Sequence, residues 1–242
     1  MSDPLREGLL RLLFPHKCFC CTALLPDGGY LCPACAKTLP RIEPGRFPNL
    51  PPFVRVAAPL YYKDGVRQGI HRFKYDGRSY YAAFLAGLMA ERLLEIPGLP
   101  RFDLLTYVPP APHKLRQRGF CPAGMLAQQL SGRLKIRVRD GLIGHTENTV
   151  AQMTLSDRLE REANARQSFA GVRGVRLHGE RILLVDDVLT TGSTARRCAS
   201  LLARAGAGEI WMAAAAVVPH QEWESPDMPR FSEKDVERAG IL

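Results

Sequence analysis

The sequence predicts an α/β fold, in which a parallel sheet is flanked by helices and preceded by a small N-terminal zinc ribbon. Three observations support this prediction. From about residue 53 onward, short apolar segments alternate with segments of helical periodicity. Near the N-terminus, four cysteines stand in two C-x2-C pairs. Between these regions, residues 41–52 are rich in proline and lack periodicity, which is typical of a linker.

The segments of the alternating region can be placed individually. Apolar, β-rich stretches predict strands at Val54–Tyr62, Leu104–Val108, Ile182–Val185 and Ile210–Val218. Apolar residues at helical spacing predict helices at Val66–Tyr75, Tyr81–Leu94, Ala123–Leu134 and Thr194–Ala205. We therefore expect a zinc-ribbon module at 1–40, a linker at 41–52, the sheet domain at 53–219 and a polar tail at 220–242.

Composition and charge narrow the class of protein. Hydrophobic residues make up 46% of the 242 residues and charged residues 24%, which is typical of globular rather than disordered chains. A net charge of +9 favours acidic partners such as phosphorylated small molecules or nucleic acid, although many proteins are mildly basic without such a partner. The longest apolar stretch, Trp211–Val218, is too short to span a bilayer, and the first residues lack a signal-peptide cleavage site. We therefore expect a cytoplasmic protein.

The segment ILLVDDVLTTGST, residues 182–194, carries the strongest functional signal. Asp186 and Asp187 stand where a buried strand is predicted to end, and a loop of small hydroxyl residues with one glycine then enters a helix. Backbone N–H groups and the helix dipole suit a phosphate there, while two carboxylates can accept hydrogen bonds from vicinal hydroxyls. This pattern matches a ribose 5-phosphate. The alternatives are a strand-to-helix turn with capping residues and a nucleotide hydrolase, but no G-x-x-x-x-G-K-[ST] motif occurs in the chain.

The same segment closely resembles the signature with which type I phosphoribosyltransferases bind phosphoribosyl diphosphate (PRPP). The resemblance implies that Asp186 and Asp187 hold the ribose hydroxyls. It also implies that the 5-phosphate is held by Thr190, Thr191, Gly192, Ser193 and Thr194. The fold expected from it is a type I phosphoribosyltransferase-like parallel sheet.

A basic segment follows the strand predicted to end at Val108. Lys114, Arg116 and Arg118 place three cations at the carboxyl end of that strand, where they suit a diphosphate group. Taken alone, these side chains would more often form a solvated basic face. Beside the segment 182–194, we interpret them as the diphosphate side of the PRPP site.

Further motifs make most of the chain, about residues 18–218, resemble the ComF family of phosphoribosyltransferase-like proteins, which includes competence proteins of DNA-transforming bacteria. These motifs are Phe73-Lys74-Tyr75, Arg118-Gly119-Phe120, Gln152, the run LSDRLER at 155–161, Asn164 and Phe169. Two positions depart from the family pattern. Cys121 stands where asparagine is usual, and residues 145–149 are less basic than usual.

The resemblance implies transfer of a phosphoribosyl group to an unknown acceptor with release of diphosphate. Mg²⁺, held mainly by PRPP with help from the acidic pair, would offset charge on the diphosphate together with Arg116 and Arg118. The predicted catalytic residues are thus Asp186, Asp187, Arg116 and Arg118, and Lys114 joins the ligand-binding set. No general base is evident in the sequence.

The alternative function is a non-catalytic protein of the DNA-uptake type that handles single-stranded nucleic acid with the same phosphate cradle. A basic run with interleaved aromatic residues, between Arg67 and Tyr81, is compatible with such binding. We favour the simpler interpretation that this run is an amphipathic helix with its aromatic side chains in the core and its arginines in solvent.

The cysteine pairs predict a structural zinc site. Cys18-x2-Cys21 and Cys32-x2-Cys35 are separated by ten residues that include the turn Gly28-Gly29, and four thiolates at this spacing suit tetrahedral zinc. ComF relatives carry a similar N-terminal module. Buried free cysteines are the alternative interpretation. Two variations stay open at this stage, because Cys20 can replace Cys18 in the ligand set and His16 can also reach the metal.

Overall fold

A computed structural model of the protein describes residues 16–145, 169–172 and 174–219. Four of the sequence predictions lie outside these residues: Gln152, the run at 155–161, Asn164 and the tail at 220–242. Within the described ranges, none of the helices is both long and apolar enough to cross a membrane.

The described elements alternate along the chain much as predicted. The strands are β1 His16–Lys17, β2 Leu24–Leu25, β3 Val56–Ala57, β4 Leu60–Tyr61, β5 Leu104–Tyr107, β6 Ile143–His145, β7 Phe169–Gly171, β8 Ile182–Leu189 and β9 Ile210–Val217. The helices are α1 Pro33–Lys37, α2 Asp64–Tyr75, α3 Tyr81–Leu94, α4 Pro112–Arg118, α5 Pro122–Leu134 and α6 Ser193–Arg204. Three pieces were not predicted, namely the short helices α1 and α4 and the antiparallel pair β6–β7.

A five-stranded parallel sheet forms the centre of the molecule. Strand β9 pairs with β8 on one side and with both β3 and β4 on the other, and β8 pairs in turn with β5. All eight residues of β9 are buried, as expected for a central strand that is covered on both faces. The predicted parallel sheet flanked by helices is thereby confirmed.

Alternate residues of the central strands supply two separate cores, because successive side chains of a strand point to opposite faces. Leu183 and Val185 pack with helices α2, α3 and α5, whereas Ile182 and Leu184 pack with α6. This alternation sets the directions of the residues that follow. Asp187 lies on the same face of the sheet as Leu183 and Val185, and Asp186 lies on the same face as Ile182 and Leu184.

The cysteine-rich segment is joined to the sheet domain by a continuous core. Phe19 is completely buried and packs edge-on against Tyr81, with ring centroids 5.1 Å apart. The Arg72 guanidinium of α2 donates hydrogen bonds to the backbone carbonyls of Phe19 and Cys20, at 2.5 and 2.8 Å. The ribbon is therefore packed on α2 and α3 as part of one folded unit.

Residues 41–52, the predicted linker, contain no helix or strand but are anchored to the domain. The side chains of Ile42, Phe47 and Leu50 are buried. Arg92 of α3, itself only 2% exposed, donates hydrogen bonds to the backbone carbonyls of Glu43 and Arg46. The segment is thus irregular, as its composition predicts, yet it packs onto the fold as a covering layer. The domain boundaries drawn from the sequence stay a prediction.

Candidate PRPP site and metal centre

The two halves of the predicted site meet because β5 and β8 are parallel neighbours. Tyr107 is paired with Val185, and the Val108 N–H donates to the Val185 carbonyl at 2.9 Å. The chain leaving β5 therefore begins beside the acidic pair of β8. Ligands of α/β proteins bind at this edge, outside the carboxyl ends of the strands.

A cavity of about 780 Å³ opens at this edge, which is within the usual range for small-molecule sites. Its lining includes five residues predicted from the sequence: Asp186, Asp187, Thr194, Lys114 and Arg118. It also includes residues to which the sequence assigned no role in the site, among them Lys74, His113, Cys121, His145 and Phe169. Acidic, hydroxyl and basic groups thus line one cavity that is large enough for a small-molecule ligand.

The acidic pair lies within β8, near its carboxyl end, because the strand continues to Leu189 and does not end at Val185 as predicted. Asp187 is 8% exposed, and its N–H donates to Oδ1 of Asp186 at 2.8 Å. On the α2 side, Lys74 Nζ lies 2.7 Å from Asp187 Oδ1. The pair is therefore held by a strand, a helix and an internal hydrogen bond.

The electrostatics of this cluster follow from burial and mutual charge. Burial and the nearby charge of Asp187 raise the pKa of Asp186, and Lys74 opposes this rise. For Lys74, burial acts to lower the pKa, but attraction to Asp187 and Asp186 outweighs burial and raises it. Lys74 therefore stays protonated and offsets part of the negative charge of the pair.

The hydroxyl loop turns directly from β8 into α6. Gly192 is the N-cap residue of α6 with φ +74°, a left-handed conformation that favours glycine. Thr191 Oγ1 and Ser193 Oγ are 2.9 Å apart, and Arg196 fastens the loop by donating to the carbonyls of Thr191 and Pro51 at 3.2 and 3.1 Å. Thr190, Thr191 and Ser193 are exposed at the helix N-terminus, while Thr194 reaches the cavity. The loop thus places exposed hydroxyl groups at the N-terminus of α6, and its role in phosphate binding stays a prediction.

The basic segment forms α4, which ends at Gly119 in the left-handed region with φ +75°. Lys114 and Arg118 lie one turn apart and both line the cavity. The Arg118 guanidinium stacks over the Tyr75 ring, 4.5 Å from its centroid, and donates to the Tyr75 hydroxyl at 2.5 Å. Arg116 is exposed and is not among the described residues that line the cavity. Its predicted role stays a prediction.

The sequence missed some cavity residues and noticed others without assigning them a role in the site. Lys74 was noted only within the motif Phe73-Lys74-Tyr75 and the basic run, since a single lysine in an amphipathic helix carries no specific signal. His145 and Phe169 come together only through the pairing of β6 with β7, which sets their ring centroids 4.6 Å apart. Cys121 lines the cavity, and burial raises the pKa of its thiol to about 11, so it is a neutral wall residue.

The four predicted cysteine ligands come together at the other end of α2. The sulfur atoms of Cys18, Cys21, Cys32 and Cys35 all lie within 4.8 Å of one another. Cys21 Sγ and Cys32 Sγ are 3.7 Å apart, close to the sulfur spacing of about 3.8 Å that follows from tetrahedral Zn–S bonds of about 2.3 Å. The Cys32 N–H points to Cys18 Sγ at 3.4 Å, as suits a thiolate. The cluster fits a structural zinc ion.

The structure decides against both variations of the ligand set. Cys20 is buried and packs against α2, where its Cβ would lie 2.6 Å from a Cβ added at Gly65. Among the described residues, the candidate metal cluster contains Cys18 rather than Cys20. His16 is also outside the cluster, and its Nδ1 lies 3.2 Å from the Gly29 carbonyl. Both residues therefore support the packing around the two C-x2-C pairs.

Comparison with known proteins agrees with both halves of this structure. Residues 115–238 match the phosphoribosyl transferase domain family, and residues 9–46 match the double zinc ribbon domain family. DNA utilization protein YhgH of Escherichia coli K12 is 31% identical over 202 residues, covering 80% of this chain and 88% of that protein. Competence protein F of Haemophilus influenzae is 32% identical over 145 residues, covering 58% and 63%. The chain belongs to the ComF family.

Among solved structures, this ComF-family chain resembles the glutamine PRPP amidotransferase of B. subtilis. Identity is 22% and the TM-score is 0.39, over 60% of this chain and 30% of the amidotransferase. The match thus spans less than a third of that longer protein. The predicted fold class, a phosphoribosyltransferase-like sheet with an N-terminal zinc ribbon, is confirmed by the two domain matches and the parallel sheet.

Proposed function

We propose that this protein binds PRPP together with Mg²⁺ and transfers its phosphoribosyl group to an acceptor, releasing diphosphate. The observation that carries the proposal is the meeting of Asp186, Asp187, Thr194, Lys114 and Arg118 on one cavity. Membership of a family with a phosphoribosyl transferase domain supports it further. The proposed carboxylates, phosphate loop and cations correspond to the three parts of PRPP.

Each part of the ligand has a proposed partner of suitable chemistry. Asp186 and Asp187 accept hydrogen bonds from the ribose hydroxyls. The loop Thr190–Thr194 binds the 5-phosphate through backbone N–H groups at the start of α6. Lys114 and Arg118 face the diphosphate, which leaves from the anomeric carbon as the bond to the acceptor forms. Arg116, which is exposed and outside the described cavity lining, stays a predicted third cation for the diphosphate.

The acidic pair suits hydroxyls better than a fully coordinated metal. Asp187 already binds Lys74 through Oδ1, and that cation leaves less negative charge to hold a divalent ion. Mg²⁺ would therefore be held chiefly by the diphosphate oxygens of PRPP, and the acidic pair would assist from the protein side. When bound, it neutralises charge on the departing diphosphate.

The first test is calorimetry with PRPP and Mg²⁺. Wild-type protein is expected to bind, and Asp186→Asn with Asp187→Asn is expected to weaken binding by at least about tenfold, because charge-assisted hydrogen bonds are lost. Asp27→Asn with Glu91→Gln, which removes two exposed negative charges outside the described cavity lining, is the matched charge control. Absence of PRPP binding by the wild type would overturn the proposal.

A second candidate function is the handling of single-stranded DNA without catalysis. The relatives named DNA utilization protein and competence protein favour it, as do the exposed Tyr75 ring and the Arg118 guanidinium beside it. Diphosphate release with trial acceptors separates the two functions. DNA binding with a steep salt dependence, together with no diphosphate release from any acceptor, would favour this second function.

A further inference from the structure

The last turn of α2 brings an unassigned cation into the proposed ribose subsite. Lys74 Nζ contacts Asp187 Oδ1 at 2.7 Å, and the two side chains are only 18% and 12% exposed. Lys74 also lines the same cavity as both acids. An ion pair this sheltered from water is screened little by salt, so it constrains both partners more than a surface pair does.

The backbone that carries Lys74 is anchored from two sides. Its neighbours Ile70 and Phe73 are completely buried in the core beneath the sheet. Arg72 ties the same turn to the ribbon through the carbonyls of Phe19 and Cys20. The backbone from which Lys74 reaches Asp187 is therefore held in place.

The ion pair also sets the direction of the second carboxylate oxygen. A carboxylate is planar, so a contact at Oδ1 restricts where Oδ2 points once the backbone holds Cα and Cβ in place. Asp187 belongs to the strand series that faces α2, whereas Asp186 belongs to the opposite series. One acid of the pair thus has a fixed cationic partner of its own.

We infer that Lys74 is a positioning residue, which holds the Asp187 carboxylate in the orientation that accepts a hydroxyl of the ribose. This inference rests on the proposed function, because it concerns the same ligand. It differs from two simpler roles for a buried lysine. A structural lysine stabilises the fold only, and a general electrostatic lysine attracts any phosphorylated ligand equally.

Discrimination between sugars with and without a hydroxyl separates these roles. Binding of ribose 5-phosphate is compared with binding of its 2-deoxy and 3-deoxy analogues, because the phosphate attraction cancels in each ratio. For wild-type protein, we expect the analogue lacking the hydroxyl bound by Asp187 to bind about tenfold more weakly. Lys74→Met should reduce that ratio to near one, and Lys74→Arg should restore most of it.

A double variant keeps the test valid if Lys74→Met alone folds poorly. Asp187→Asn combined with Lys74→Met removes both members of the ion pair, so neither is left buried without the other, and is expected to fold better than Lys74→Met alone. If Lys74 acts through Asp187, adding Lys74→Met to Asp187→Asn should not change the ratio any further. Lys63→Met, an exposed lysine at the start of α2, controls for the loss of one positive charge.

The outcomes distinguish this inference from the proposed function. If Lys74→Met weakens binding of all three sugar phosphates by the same factor, Lys74 is not a positioning residue, although the PRPP site stands. If Lys74→Met leaves every affinity unchanged, the inference is also wrong. If wild-type protein binds neither PRPP nor ribose 5-phosphate, the proposed function itself fails and the inference fails with it.

Discussion

Gly192 shows how strongly one residue of the proposed phosphate loop is determined by its surroundings. Its φ of +74° is costly for any residue with a Cβ, and an added Cβ would lie 2.8 Å from both methyl groups of Leu50. Leu50 is itself 2% exposed, so it has little room to move. The segment predicted as a linker therefore packs against the phosphate loop through Leu50.

We expect Gly192→Ala to lower the free energy of unfolding by about 2–3 kcal/mol, from left-handed strain and crowding against Leu50. Gly132→Ala is the matched control. Gly132 is exposed within α5 with nothing near its added Cβ, so alanine there should stabilise by about 0.5–1 kcal/mol. Urea unfolding measures both changes. Equal stability of Gly192→Ala and wild type would contradict the packing described for the loop.

Helix α2 is the element that connects the metal centre to the proposed ligand site. Gly69, at its middle, allows the Phe19 ring of the ribbon to approach so closely that an added Cβ would lie 2.5 Å from ring atoms. At the end of the same helix, Lys74 and Tyr75 contact Asp187 and Arg118. The same short helix therefore supports both regions on different faces.

Gly69→Ala is expected to destabilise the protein by about 1–3 kcal/mol, because the fully buried Phe19 ring must move. Gly87→Ala in α3 is the control, since its nearest neighbours are guanidinium atoms of Arg133 at 3.6 Å and beyond. Chemical denaturation of both variants gives the comparison. In a Phe19→Leu background, Gly69→Ala should lower the free energy of unfolding by less than it does in the wild type. An equal loss in both backgrounds would show that Phe19 is not the residue crowded by the added methyl group.

At the scale of the whole molecule, the ribbon and the sheet domain share one hydrophobic core. Cys18, Phe19 and Leu25 of the ribbon belong to the same buried cluster as residues of α2, α3, α5 and the sheet. Shared burial makes unfolding of the two parts cooperative. Loss of zinc should consequently destabilise the sheet domain as well as the two C-x2-C pairs that bind the metal.

We expect purified protein to hold one zinc ion per chain, and Cys21→Ala to lose it and to unfold on the order of several kcal/mol more easily. Cys20→Ala is the matched variant, which should keep the zinc because Cys20 lies outside the cluster. Metal analysis and thermal unfolding test both. A zinc-free Cys21→Ala variant whose sheet domain unfolds at the wild-type temperature would show that the two parts are independent.

Local patterns explain why much of the fold could be predicted. Tyr81–Leu94 is helical at the residues predicted, because its apolar spacing describes one wide face. The short helix Pro112–Arg118 was missed, since a seven-residue polar segment has little periodicity to detect. Strand β8 was predicted too short, because two aspartates are unfavourable in an isolated strand, and the pairing of Asp186 with Ala214 in β9 overrides that local preference.

The chemistry of the candidate site residues could be predicted from the sequence. Consecutive acids, a loop of hydroxyl residues with a glycine, and paired cysteines are each recognisable as short local patterns. Asp186, Asp187, Thr194 and the four cysteines could be proposed as site residues without a structure, and they lie at the cavity and in the cysteine cluster. The residues that contact them could not be predicted from the sequence. Lys74 is 113 positions before Asp187, and Arg118 meets Tyr75 only where α2 and α4 end near one cavity. Such meetings depend on which strands are neighbours in the sheet, and long-range packing alone decides that.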